Sequence, residues 1–186
     1  MADIRFLTFP NVLTALRIVL APVVFYFSAK HMYVLAVVIF WVSSVSDFFD
    51  GFLARHLNCE SSVGRILDPV ADKMLTLFSY LSLYSEFPKL SWLVVARDVG
   101  IVAAVALGYV LRLDIKIAPL RISKLNTVFV LLFPFLWLYQ KAFNTSALNA
   151  VLLYLSWTIV GTTILSSIGY AVTILNISKI KDENSK

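Results

Sequence analysis

Long apolar stretches separated by short charged segments constrain this chain more than any other feature. Six of them can be read, at about residues 12 to 29, 33 to 55, 66 to 86, 90 to 112, 125 to 142 and 147 to 177. An α-helix needs about 20 apolar residues to cross the hydrocarbon core of a bilayer, and stretches of this length have few other uses. The composition agrees: 60% of residues are hydrophobic, 15% are charged and the mean hydropathy is +0.84. A typical soluble chain is roughly 45–50% apolar and about 25% charged, so soluble, disordered and collagen-like chains are excluded. The expected fold class is all-α, a polytopic membrane protein with six transmembrane helices and a short N-terminal interfacial segment carrying Phe6, Leu7 and Phe9 beside Asp3 and Arg5. Arg17 interrupts the first apolar stretch, so that stretch reads as a retained helix rather than a cleaved signal peptide. A single Cys59 gives no intrachain disulfide, and no repeat or linker divides residues 1–186 into more than one domain.

Six crossings put both termini on one side, and the basic residues test that arrangement. Of sixteen Lys and Arg, eleven lie in or beside the terminal segments and the second and fourth loops: Arg5, Arg17, Arg55, Arg65, Arg112, Lys116, Arg121, Lys124, Lys179, Lys181 and Lys186. Only Lys30, Lys89 and Lys141 fall in the other three loops. This bias predicts cytoplasmic termini and cytoplasmic second and fourth loops.

Four acidic residues, Asp47, Asp50, Asp68 and Asp72, sit inside or at the ends of otherwise apolar segments. A carboxylate at the bilayer centre costs roughly 2.5–3.5 kcal/mol on insertion scales, so each needs a compensating interaction. At about 100° per residue, Asp47 and Asp50 share one helix face with Gly51, Ala54 and Arg55. Asp68 and Asp72 are one turn apart, one turn after Gly64, with Pro69 as a possible kink. A short connection makes the two segments antiparallel neighbours, so the pairs can converge. Four converging carboxylates cannot all stay ionised without counter-charge. Two divalent cations would match them, and an all-oxygen donor set suits Mg²⁺ or Mn²⁺. Such a pair of ions, about 3.5–4 Å apart, is an apparatus for in-line displacement at phosphorus. Pairing with Arg55, Lys73 and the loop bases, or the lining of an ion path, remains open on spacing alone.

The order Asp47-x-x-Asp50-Gly51-x-x-Ala54-Arg55, then eight residues, then Gly64-x-x-x-Asp68-x-x-x-Asp72 matches the signature of the CDP-alcohol phosphatidyltransferases in full, eight fixed positions within 26 residues. Asn11, Thr14, Arg17 and Pro22 resemble the opening of the cardiolipin synthase and phosphatidylglycerophosphate synthase branch, and the resemblance spans residues 10 to about 130. It implies a six-helix homodimer whose cytoplasm-facing cavity binds CDP-diacylglycerol through two divalent ions, Mg²⁺ or Mn²⁺, and releases CMP. By the same resemblance Asp47, Asp50 and Asp68 hold metal and diphosphate, and Asp72 completes the metal site and acts as general base. Gly51, Ala54, Arg55 and Gly64 would line the CDP site, and Arg97 and Lys124 would bind the acceptor phosphate. Both have simpler readings: an ion pair of Arg97 with Asp98, and the general excess of lysine on the cytoplasmic side.

The acceptor is read from local features. Ser44-Val45-Ser46 before the first aspartate, Arg97-Asp98-Val99, and Ser123-Lys124-Leu125-Asn126-Thr127 resemble the cardiolipin synthases more than the phosphatidylglycerophosphate synthases. Asn126 stands where the latter carry a second lysine, and the missing cation favours an acceptor with a single phosphodiester charge, phosphatidylglycerol, over glycerol 3-phosphate. The expected products are therefore cardiolipin and CMP, with the glycerol 3-phosphate reaction as the alternative. An aromatic prenyltransferase would be longer with its acidic motifs farther apart, and an ion-coupled transporter would have no use for the fixed Gly and Ala-Arg positions. Arg17 could bind lipid or diphosphate, but is expected to snorkel to the cytoplasmic interface. Lys73 points to a different face from Asp72, and His31 and His56 lack the company a ligand needs. The aromatic residues read as lipid-facing or interfacial, with no nucleic-acid partner. The short N-terminus without a transit peptide favours a bacterial inner membrane over a mitochondrial one.

Overall fold

The computed structural model describes the backbone of residues 9–57, 64–110 and 121–183, and the side chains of 14–46, 70–103 and 122–169. Among the described residues six α-helices follow one another: α1 (Phe9–Ala29), α2 (Tyr33–Leu57), α3 (Gly64–Leu83), α4 (Pro88–Val110), α5 (Arg121–Phe143) and α6 (Leu148–Glu183). Among the described residues there is no strand. Each helix covers one of the apolar stretches. Residues 9–12, expected at the interface, form the first turn of α1, and the rest of that N-terminal segment lies outside the described residues. Helix α3 runs through Pro69 without a break.

Local chemistry sets several of the boundaries. Pro10 lies in the first turn of α1 and Pro88 opens α4, where the missing N–H removes a donor that has no partner in the helix anyway. Helix α1 is capped by His31 in the turn that follows it, with a left-handed φ of 58°. The His31 amide donates to the Ser28 carbonyl at 2.9 Å and the Met32 amide to the Phe27 carbonyl at 2.9 Å, which together satisfy the last turn. Asn144, with φ 51°, ends α5 in the same way, and Thr145 N–H donates back to the Gln140 carbonyl.

The chain forms two compact units. The first comprises α1, α2, α3 and the segment through Phe87, with residues 134–148. Within it α1 packs against both α2 and α3. The buried stripe of α1 is Thr14, Arg17, Ala21, Val24 and Ser28, spaced by three and four residues as a helix face requires. Ala21, Ala36 and Ala71 are fully buried, and such small side chains let helix backbones approach closely. Arg17 meets Asp72 and Phe25 meets Phe78, so α1 and α3 run in the same direction, whereas the tight turn at 30–32 makes α1 and α2 antiparallel. The second unit comprises Pro88–Phe133 and Asn149–Lys186. Its buried residues include Val94 and Asp98 on α4, Ser123, Asn126 and Val130 on α5, and Ile159, Thr163 and Ser166 on α6.

In both units apolar side chains form much of the outer surface as well as the core, and polar side chains share the interior. Large apolar side chains are exposed on every helix, among them Val19, Trp41, Leu81, Trp92, Val128, Tyr154 and Trp157, while Thr14, Arg17, Ser43, Ser79, Asn126 and Thr163 are buried. Water would penalise such an apolar surface, but lipid would not, and helices in lipid associate through small and polar residues instead. Among the described residues two segments of 22 residues, Ile122–Phe143 and Leu148–Gly169, are long and apolar enough to cross a membrane; Thr14–Ala29 and Tyr33–Ser46 are shorter apolar stretches.

One end of the first unit is pinned by a polar cluster. Trp137 Nε1 donates to Glu86 Oε2 at 3.0 Å, Lys141 pairs with the same carboxylate, and Tyr33 packs edge-on against Trp137. Glu86 lies in the connection after α3. Partial burial raises its carboxyl pKa, but the hydrogen bonds from Lys141 and Trp137 and the Lys141 charge outweigh that effect and hold it below its usual 4.5. A carboxyl lowered by folding stabilises the fold above its unfolded pKa and loses that contribution as pH falls through the folded value. Glu86→Gln is therefore expected to lower the melting temperature of the detergent-solubilised protein near neutral pH. The gap to the parent should narrow below pH 4.5. Both partners are partly exposed, so the effect should be no more than about 1 kcal/mol; a gap that widens on acidification would contradict this account.

Candidate active site

The eight motif positions lie at the end of the first unit opposite the Glu86 cluster. Asp47, Asp50, Gly51, Ala54 and Arg55 occupy the last turns of α2, and Gly64, Asp68 and Asp72 the first turns of α3. Of these, only Asp72 falls among the residues whose side chains are described; the other seven side chains lie outside them. The backbone fixes their level nonetheless. Arg17 lies 14 residues before His31 and Asp47 16 residues after it, so across an antiparallel pair they differ in height by roughly 3 Å. Arg17 also contacts Asp72 directly. The C-terminal turns of α2 and the N-terminal turns of α3 are thus stacked beside the same part of α1, joined by the six residues between Leu57 and Gly64.

Arg17 does not snorkel. Its side chain is 1% exposed, and Nη1 donates to Asp72 Oδ1 at 3.1 Å. Burying a guanidinium in an apolar bundle is unfavourable unless it is paired, and here a carboxylate of the motif takes part in that pairing. Asp72 itself is 52% exposed, so its carboxylate is both held and accessible. The Thr76 hydroxyl donates to the Asp72 backbone carbonyl at 3.1 Å. Thr14 and Arg17 share the buried α1 face that continues into Ala21 and Val24.

The donor chemistry fits hard divalent cations. The aspartates offer only oxygen, and their positions come from two helix ends at one level beside a third helix. Among the described residues no group of three or more Asp, Glu, His or Cys side chains is found, a set that includes only one of the four motif aspartates. His31 serves as the α1 cap and contacts the Tyr33 hydroxyl at 2.8 Å, while the side chain of His56 is outside those described. A shallow groove of about 280 Å³ beside His31, Tyr33 and Lys141 belongs to the Glu86 end. It lies roughly 20 Å along α1 from Arg17, too far to serve the motif.

A second polar cluster lies in the second unit. Arg97 is 5% exposed; its Nη1 donates to Asp98 Oδ1 at 3.1 Å and its Nη2 to Ser123 Oγ at 2.9 Å. The structural ion pair is therefore present. Among the described residues Arg97 Nε has no hydrogen-bond partner. Lys124 is exposed on the next position of α5. Asn126 is fully buried, and its Oδ1 accepts from the hydroxyls of Thr162 at 2.8 Å and Thr163 at 3.3 Å. This position is committed to holding α5 against α6. Packing against α6 gives this uncharged residue a role besides acceptor choice, which weakens it as an indicator of the acceptor.

The family model described as CDP-alcohol phosphatidyltransferase matches residues 7–168, which include parts of both units. Among similar curated proteins is the chloroplastic CDP-diacylglycerol–glycerol-3-phosphate 3-phosphatidyltransferase 1 of Oryza sativa subsp. japonica. It is 35% identical over 188 aligned positions, covering 90% of this chain and 57% of the relative. An enzyme of Aquifex aeolicus with the corresponding name is 35% identical over 129 positions, covering 65% of this chain and 70% of the relative. The cardiolipin synthase (CMP-forming) of Rattus norvegicus is 39% identical over 102 positions, covering 53% of this chain and 34% of the relative. The chain thus spans little more than half of the rice protein and about a third of the rat one.

Proposed function

Because this chain belongs to the CDP-alcohol phosphatidyltransferase family, we propose that it is a six-span membrane enzyme transferring a phosphatidyl group from CDP-diacylglycerol to glycerol 3-phosphate, with release of CMP. The observation that carries the acceptor choice is the breadth of similarity to relatives named for glycerol 3-phosphate, which extends over 90% of the chain for the rice protein. The similarity to the rat cardiolipin synthase covers 53%. The burial of Asn126 against α6 supports this choice by weakening the argument for phosphatidylglycerol. Cardiolipin synthesis remains the second reading, favoured by Ser44-Val45-Ser46 and the Arg97–Asp98 pair.

In this reading Asp47, Asp50, Asp68 and Asp72 bind two divalent cations, Mg²⁺ or Mn²⁺, and residues 1–186 act as one membrane domain that forms a homodimer. When bound, the ions would neutralise the diphosphate and polarise the phosphorus under attack. Gly51, Ala54 and Gly64 let the nucleotide lie against the backbone, and Arg55 contacts it. Asp72 accepts the proton of the acceptor hydroxyl as its oxygen bonds to the phosphatidyl phosphorus, and the bond from that phosphorus to the CMP oxygen breaks. Arg97 and Lys124 orient the acceptor phosphate, for which a partly open buried guanidinium and an exposed ammonium are suitable donors. The positive-inside bias directs the site to the cytoplasmic side of the membrane.

Purified protein in detergent, given CDP-diacylglycerol, Mg²⁺ or Mn²⁺ and each acceptor in turn, tests this reading. Labelled glycerol 3-phosphate should enter lipid with release of CMP. Consumption of phosphatidylglycerol without glycerol 3-phosphate would reverse the assignment.

A further inference from the structure

We propose that Arg17 is a positioning residue for the reaction: anchored in the buried face of α1, it fixes the orientation of the Asp72 carboxylate on α3. This rests on the reading of Asp72 as the group that takes the acceptor proton. Among the described residues Arg17 is the largest fully buried side chain, and its guanidinium lies 3.1 Å from a carboxylate that is 52% exposed. A pair formed only for stability would more effectively bury both charges or neither, since a half-exposed carboxylate gains little from a buried partner. Here the cation is immobilised and the anion is left reachable. That asymmetry suits a carboxylate that must meet a substrate hydroxyl at a set angle, because a flexible Asp side chain loses rate when its approach is not fixed. Thr14, one turn before Arg17 and fully buried, keeps this face of α1 seated. The Thr76 hydroxyl bonds to the Asp72 carbonyl one turn back along α3.

A double-mutant cycle tests the proposal, run with whichever acceptor the parent enzyme turns over, so that a wrong acceptor assignment does not affect it. Arg17→Gln should lower kcat by about 10²-fold, the low end of what a positioned acid–base group contributes. The KM for CDP-diacylglycerol should stay within about threefold, and calorimetric affinity for CDP in the presence of Mn²⁺ should be similarly unchanged, because the substitution removes transition-state and not ground-state interactions. Added to Asp72→Asn, Arg17→Gln should cost nothing further, since residues acting as one unit are non-additive. Arg17→Lys should recover part of the loss, as one ammonium replaces a planar fork. If the glutamine variant does not fold, the same cycle with Arg17→Lys decides. Losses that multiply across the cycle, a kcat within about threefold of the parent, or CDP affinity falling in step with kcat would each overturn the proposal.

Discussion

Asp47→Asn and Asp68→Asn are each expected to abolish turnover while leaving the protein in the membrane. Either change removes one negative charge and one strong oxygen donor from a site that must hold cations against a diphosphate, and asparagine offers only a neutral carbonyl in its place. The loss should be a thousandfold or more, equivalent to about 4 kcal/mol of transition-state stabilisation at 1.36 kcal/mol per factor of ten. Insertion should not suffer, since removing a carboxylate relieves a cost of roughly 2.5–3.5 kcal/mol in an apolar segment. The check is radiolabelled product formation beside membrane fractionation and a melting curve. Appreciable activity in either variant would contradict the metal assignment. Inactivity accompanied by failed insertion would mean that the aspartate supports the fold.

Asp72→Asn should behave differently. It retains the shape of the side chain and a neutral oxygen to accept from Arg17, while removing the capacity to take a proton at neutral pH. A general base contributes about 10²–10⁴-fold, so kcat should fall by that amount. Affinity for CDP with Mn²⁺ should fall much less, because three of the four motif aspartates remain. Equal losses in binding and turnover would assign Asp72 to the metal site alone.

Much of the fold was legible in the sequence because a bilayer leaves a helix few alternatives. The six apolar stretches correspond to α1 through α6 with boundaries shifted by a few residues at most termini. The cap at His31 was not legible, since a left-handed histidine has no strong signature and the turn is recognised only by its backbone hydrogen bonds. The motif positions were legible as a pattern, and the backbone puts Asp47 of α2 and Asp72 of α3 near the level of Arg17 on α1.

Arg17 was misjudged for a physical reason. An arginine near the end of an apolar stretch is compatible with reaching the interface, and only the packing of α1 between α2 and α3 turns it inward to Asp72. Asn126 was misjudged in the opposite sense. Read linearly, it is a missing cation beside Lys124; in the second unit it is a buried amide bonded to two threonines of α6. An interhelical bond of that kind depends on a partner 36 residues away in the chain, which local sequence does not disclose.

Counting bound Mn²⁺ tests the central claim most directly. Purified protein is equilibrated with Mn²⁺ and CDP-diacylglycerol, without acceptor, and the bound ion is measured by electron paramagnetic resonance beside elemental analysis. The account predicts close to two ions per chain with a dipolar-coupled signal, as expected for cations about 3.5–4 Å apart, and loss of that signal in Asp47→Asn and Asp68→Asn. A parent protein that turns over substrate yet binds no Mn²⁺, or retains its coupled signal in both variants, would contradict it.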